Sequence, residues 1–217
     1  MADKDSTDTS RVGADGVSPP ETPDGYTKPY RFEYPKLPLF VSASVLTIVS
    51  TVIYGWLLIQ LQGPEVLPIV FESGAEEELT IAFNLGEVAI PFLFAFLTTV
   101  VVHELLHGVV YQWYGYEVSY GVYWRMGAMY AAVFHQFHSR EETLRVGIAP
   151  LVILTVICLL LLAVPYPVIA TTAFFVLALN TAGSVGDVYA IWRFYRMPPK
   201  TLFYDINIGH MYVFEPE

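Results

Sequence analysis

The chain has 217 residues, carries a formal net charge of −10 and is 54% hydrophobic against 15% charged. Together with a mean hydropathy of +0.48, that balance excludes an ordinary soluble domain. The acidity argues against nucleic acid as a partner, because binding to phosphates needs clustered Lys and Arg.

Residues 1–36 are polar, rich in Asp, Ser, Thr, Pro and Gly, and have no apolar core. They read as a disordered leader with no signal peptide. An uncharged apolar run follows from Leu39 to Leu61. The 62–87 loop holds six Glu and no Lys or Arg. Apolar runs then extend from Val88 to about Trp113, from Val146 to Val164, and from Val168 to about Phe194, the last with its first charge at Asp187. Pro165-Tyr166-Pro167 breaks the final two. At about 1.5 Å per residue, each run can cross a hydrocarbon core of roughly 30 Å. The expected fold is an all-α membrane protein of about four transmembrane helices, with the membrane domain over 37–196 and a tail over 197–217. The single Cys158 falls inside the third run and reads as a small buried hydrophobe.

Between the second and third runs, Tyr114 to Phe134 is rich in Tyr and Val in rough alternation, with Gly127 as a turn residue. This is either a short β-hairpin or an aromatic belt at the membrane interface. A hairpin edge there would align an extended peptide by strand addition.

All eleven Lys and Arg lie in the N-terminal segment, between the second and third runs, or after Asp187. With four spans these regions share one side, which the positive-inside rule makes the cytoplasm for both termini and the 114–143 loop.

The chemistry concentrates in the second run, in "VVHELLHGVV". His103 and His107 are four residues apart, so on a helix they project from one face. That spacing lets two imidazoles hold one tetrahedral Zn²⁺. Glu104, turned by about 100° from His103, is placed to act as general base, as in the H-E-x-x-H arrangement of metallopeptidases. Each ionisable residue inside a span costs about 2.5–3.5 kcal/mol on insertion scales, and a shared cation offsets that cost. The alternative is a polar patch that stabilises helix packing near the interface.

A catalytic zinc takes three protein ligands and keeps one position open. Asp187, His135, His138, Glu117 and Asp205 are the candidates for the third. Asp187 leads: it lies 19 residues into its run, as His107 does in its own, and it follows Gly183, Ser184 and Gly186, which permit close helix approach. Its bland reading is a helix-end residue paired with Arg193. His135 serves as a substitute ligand or substrate contact or else faces solvent, and His138 reads more readily as a solvent-facing loop residue. His210 reads as surface. Asn180 hydrogen-bonds across helices, either near the site or in packing alone.

"HELLHG" on a span, a tyrosine-rich loop ending near "FH", "GIAPLV" opening the next span and "GSVGDVYAIWR" closing the last resemble the DUF3267 zincin-peptidase family of small membrane proteins. The resemblance covers about residues 85–196. The architecture is also similar to that of the site-2 protease class of intramembrane metalloproteases, in which two histidines and a distal aspartate hold zinc. The resemblance implies His103, His107 and Asp187 as ligands and Glu104 as the catalytic group. It departs from the site-2 pattern at the aspartate, which sits in "VGDVY" with no proline ahead of it.

The expected activity is hydrolysis of peptide bonds in or beside the membrane, with Zn²⁺ as cofactor and membrane lipid and a peptide or membrane-protein substrate as partners. The alternative is a non-catalytic metal-binding membrane scaffold.

Overall fold

A computed structural model describes residues 18–66, 69–73, 79–83, 85–124 and 128–217. Five helices form its frame: α1 (Lys36–Gln62), α2 (Leu85–Trp113), α3 (Arg140–Leu162), α4 (Pro167–Gly183) and α5 (Val185–Tyr195). The first three are each long and apolar enough to cross a membrane. Helices α4 and α5, bent by 43° at their junction, make a fourth if they count as one span. The outward faces carry side chains such as Trp56, Phe94 and Leu160, all more than 60% exposed. Lipid accommodates such a surface and water does not.

Helix α4 is the centre of the bundle and packs against α1, α2 and α3. Its buried stripe includes Ala170, Ala173 and Ala178, and small side chains let three neighbours approach at once. Leu58, Ala95, Cys158, Leu162 and Leu177 complete this core.

The final apolar run is not one continuous helix. Ser184 stands at the break with φ −73° and ψ 2°, and its hydroxyl donates to the Asn180 carbonyl at 2.8 Å. Such a bond from serine to the carbonyl four residues back bends helices. A Cβ added to Gly183 or Gly186 would meet nothing within 4 Å. The close helix approach expected of these glycines is therefore corrected: they flank a bend rather than a tight contact.

The all-α expectation is corrected as well. Among the described residues, mostly helical structure is joined by small sheets. Strands β2 (Ile69–Ser73) and β3 (Leu79–Phe83) pair between α1 and α2. Strands β4 (Ser119–Tyr123) and β5 (Ala128–Ala132) pair antiparallel between α2 and α3, with Tyr120 opposite Ala131. Gly127 lies outside the described residues.

The largest sheet has the order β1 (Tyr30–Phe32), β8 (His210–Phe214), β7 (Leu202–Asn207), β6 (Phe137–Ser139). It draws in both stretches that read as tails. Residues 1–17 lie outside the described residues, but residues 30–32 of the expected disordered leader form an ordered strand. The physical reason is burial. Phe32, Phe203 and Val213 pack on Ala190, Phe194 and Met197 at the end of α5, which provides the apolar area that neither stretch has alone. This sheet also brings residues 30–32, 137–139 and 202–214 together at the end of the bundle where α1 and α3 begin and α5 ends.

Helix α3 springs directly from this sheet. Ser139 caps it, its hydroxyl accepting from the Glu142 N–H while the Glu142 carboxylate accepts from the Ser139 N–H. Pro150 lies inside α3.

Candidate metal centre

His103 and His107 lie one turn apart on the buried stripe of α2. Asp187 is in the first turn of α5, where the helix dipole favours a carboxylate. The bend at Ser184 is what creates this helix start. Three atoms converge: His103 Nε2 lies 3.1 Å from Asp187 Oδ2, His107 Nε2 lies 3.2 Å from His103 Nε2, and His107 Nε2 lies 3.6 Å from Asp187 Oδ2. Ligands about 2.0–2.1 Å from a tetrahedral zinc stand roughly 3.3–3.4 Å apart. The triangle has the size of one face of such a tetrahedron.

The opposite ring nitrogens show why the arrangement suits a cation. His103 Nδ1 faces Asn180 Oδ1 at 3.0 Å, and His107 Nδ1 faces the Val146 carbonyl at 2.9 Å. Both partners are acceptors, so each Nδ1 carries the proton and donates. Each neutral ring then presents an Nε2 lone pair. Two lone pairs and a carboxylate oxygen meet with no donor among them, and one added proton serves a single edge of the triangle. A divalent metal could engage all three atoms. Outer partners that fix tautomer and ring orientation are a regular feature of histidine metal ligands.

Local sequence explains both outer partners. Pro150 has no N–H, so the carbonyl four residues back, that of Val146, lacks its helical donor. His107 supplies one. Asn180 is fully buried, and its Nδ2 reaches toward the Pro150 carbonyl at 3.5 Å. "GIAP" and "ALN" thus orient one imidazole each.

Glu104 points to a different neighbour. Its Oε2 accepts the Ala131 N–H of β5 at 3.0 Å, which ties the carboxylate to the hairpin. The hairpin is seated on the same helix at Gly108. A Cβ there would collide with the ring and hydroxyl of Tyr120 on β4. The glycine after the second histidine therefore makes room for the Tyr120 ring.

Glu104, His107 and Asp187 open into a cleft of about 210 Å³, roofed by Tyr34, Asp205 and Met211. Tyr34 precedes α1. Desolvation, and then the carboxylates of Asp187 and Asp205, raise its phenol pKa above the ordinary value, so it remains a protonated donor over the cleft. Sequence reading passed over Tyr34 because it lies in a polar-looking leader; only the sheet brings that leader back over the site.

Of the other candidates, Asp205 lines the cleft but faces His138, and the rest lie outside the triangle. His138 is fully buried, which corrects its reading as a solvent-facing residue. Its Nδ1 lies 2.7 Å from Thr143 Oγ1 and its Nε2 lies 3.2 Å from Asp205 Oδ2. It is held there by the pairing of β6 with β7. His135 is exposed, with φ +57°, and its N–H donates to the Asp205 carbonyl. Glu117 is exposed, and its backbone pairs with the Gln136 side chain. His210 contacts Asn207 Oδ1 at 2.8 Å. Among the described residues, only His103, His107 and Asp187 form a group able to hold a metal ion.

Residues 96–202 match the model of the DUF3267 family, described as "Putative zincin peptidase". This stretch, a little under half of the chain, resembles that family. The matched stretch contains the histidines, Glu104, Asn180 and Asp187, and it ends at the start of β7. No curated protein and no solved structure matches the chain.

Proposed function

We propose that this protein is a zinc-dependent membrane peptidase that hydrolyses a peptide bond in or beside the bilayer. His103, His107 and Asp187 would hold the metal, and Glu104 would be its general base. The observation that carries this reading is the donor-free triangle of two Nε2 atoms and Asp187 Oδ2. The family's description supports it.

Bound at that triangle, zinc supplies a Lewis acid that polarises a carbonyl and acidifies water. The chain's own groups do the rest. Asn180 and the Val146 carbonyl hold the two rings in place. Glu104 takes one proton from the attacking water and returns it to the departing amine, so that water is added across the C–N bond. The Tyr34 hydroxyl is a donor on the roof of the cleft. The outer edge of β5, whose Ala131 N–H already reaches the cleft, would take an extended peptide as an added strand. By the positive-inside rule, both termini and the site face the cytoplasm.

The test is Glu104→Gln in detergent-purified protein, assayed for zinc content and peptide cleavage. Full zinc with cleavage reduced about 10²–10⁴-fold is expected for loss of a general base. Cleavage at the wild-type rate would remove Glu104 from the mechanism. The Ala131–Glu104 bond favours one other reading, a non-catalytic metal-binding scaffold in which the carboxylate is a permanent strut. In that case Glu104→Gln lowers thermal stability, and wild type cleaves nothing.

A further inference from the structure

A second pocket, of about 250 Å³, lies where α5 meets the sheet and is lined by Tyr30, Trp192, Arg193, Arg196, Met197 and Glu215. Its position is at the edge of the lipid-facing surface: Trp192 and Tyr195, in the last turn of α5, are 48% and 71% exposed. Indole and phenol rings favour this depth, where one end is apolar and the other wet.

The basic residues here are arranged for an anion. Arg193 and Arg196 are three apart at the helix end and so share a face. The Arg196 guanidinium lies 3.9 Å from the Trp192 ring centroid. Stacking uses the face of the guanidinium plane and leaves its N–H edge free for a bidentate acceptor. Among the described residues, neither arginine forms an ion pair within 4.0 Å. The one acidic lining residue is already engaged: Glu215 Oε1 accepts from the Tyr30 hydroxyl at 2.7 Å. Burial, followed by that bond, holds the Tyr30 phenol up at about 12, so it remains a donor at neutral pH. The pocket thus sets two arginines against one carboxylate, a local excess of positive charge in a chain of net charge −10.

We propose that this pocket binds the phosphate of an anionic membrane phospholipid, with Arg193 and Arg196 on the phosphate oxygens and Trp192 beside the glycerol. Basic pockets at the membrane boundary recognise anionic headgroups in this way. The proposal does not depend on the peptidase reading, since none of these residues lines the metal centre.

Native mass spectrometry of the full chain in neutral detergent tests it, titrating phosphatidylglycerol, phosphatidylcholine or inorganic phosphate. Wild type should bind one phosphatidylglycerol at least tenfold more tightly than phosphatidylcholine, and should bind inorganic phosphate only weakly. Arg193→Gln with Arg196→Gln should erase that preference. Trp192→Ala should weaken it by less, and Arg145→Gln, at an exposed arginine elsewhere, should leave it unchanged. Both substituted arginines are exposed, and an unchanged melting temperature would verify folding. Equal binding of the two lipids, an unaltered preference in the double variant, or an equal loss in Arg145→Gln would overturn the proposal. Inorganic phosphate bound as tightly as phosphatidylglycerol would assign the pocket to a soluble anion instead.

Discussion

Two buried histidine–aspartate sites lie close together in this molecule, and they are wired differently. In one, His138 has its Nδ1 on Thr143 Oγ1 and its Nε2 on Asp205 Oδ2. The Thr143 hydroxyl donates to the Ser139 carbonyl, so it accepts from the ring, and a single proton between Nε2 and the Asp205 carboxylate completes the other contact. Every contact there has its donor. In the other, two imidazoles spend their protons on outer acceptors and turn their lone pairs toward the same carboxylate oxygen. The first site can be completed by protons alone, whereas the second has the atoms to hold a cation. A buried histidine is therefore weak evidence for metal; convergence of lone pairs is the stronger sign.

Substitutions sharpen this contrast. The largest effect is expected from His103→Ala, which should reduce zinc from about one per chain to near none by metal analysis. His138→Gln should keep full zinc and lose stability instead, by about 3 kcal/mol, because it leaves Asp205 without its partner. If His138→Gln lost zinc as well, the two sites would not be separate. Next is Asn180→Ala, which frees the His103 ring. Zinc affinity should fall about 10–100-fold, the usual cost of removing an outer partner of a ligand, as measured by competition with a chelator. Gly108→Ala should displace the exposed Tyr120 ring and cost about 1 kcal/mol, the low end of overpacking. Tyr120→Ala in the same chain should recover most of that loss in a melting experiment. The smallest effect belongs to Pro150→Ala. The new N–H at position 150 shares the Val146 carbonyl with His107, and because a carbonyl has two lone pairs, zinc affinity should change only a few-fold. A hundredfold loss there would show that the proline does more than free one acceptor.

Much of the candidate site was legible in the sequence. The i, i+4 spacing put both histidines on one helix face, and equal depth in two apolar runs picked Asp187 out of five candidates. The outer partners were present in the text as well: a proline four residues after Val146, and an amide amid apolar residues at Asn180. The S-x-x-E signal at Ser139–Glu142 marks the start of α3. What stayed hidden was whatever depends on distant pairing. His138 looked like a loop residue because its burial comes from β7, more than 60 residues later. Tyr34 looked like part of a leader because its place over the cleft comes from a sheet that joins the two chain ends.

Local patterning alone marked the apolar helices, their approximate limits and the paired histidines on one helix face, because hydrophobic runs and helical spacing act within a few turns of chain. Tertiary structure alone decided the bend that gives Asp187 a helix start, the roof over the cleft and the distinction between the two histidine sites. Each of these depends on which acceptor or apolar surface a side chain meets from a remote segment, and a linear sequence does not encode that meeting at any fixed spacing.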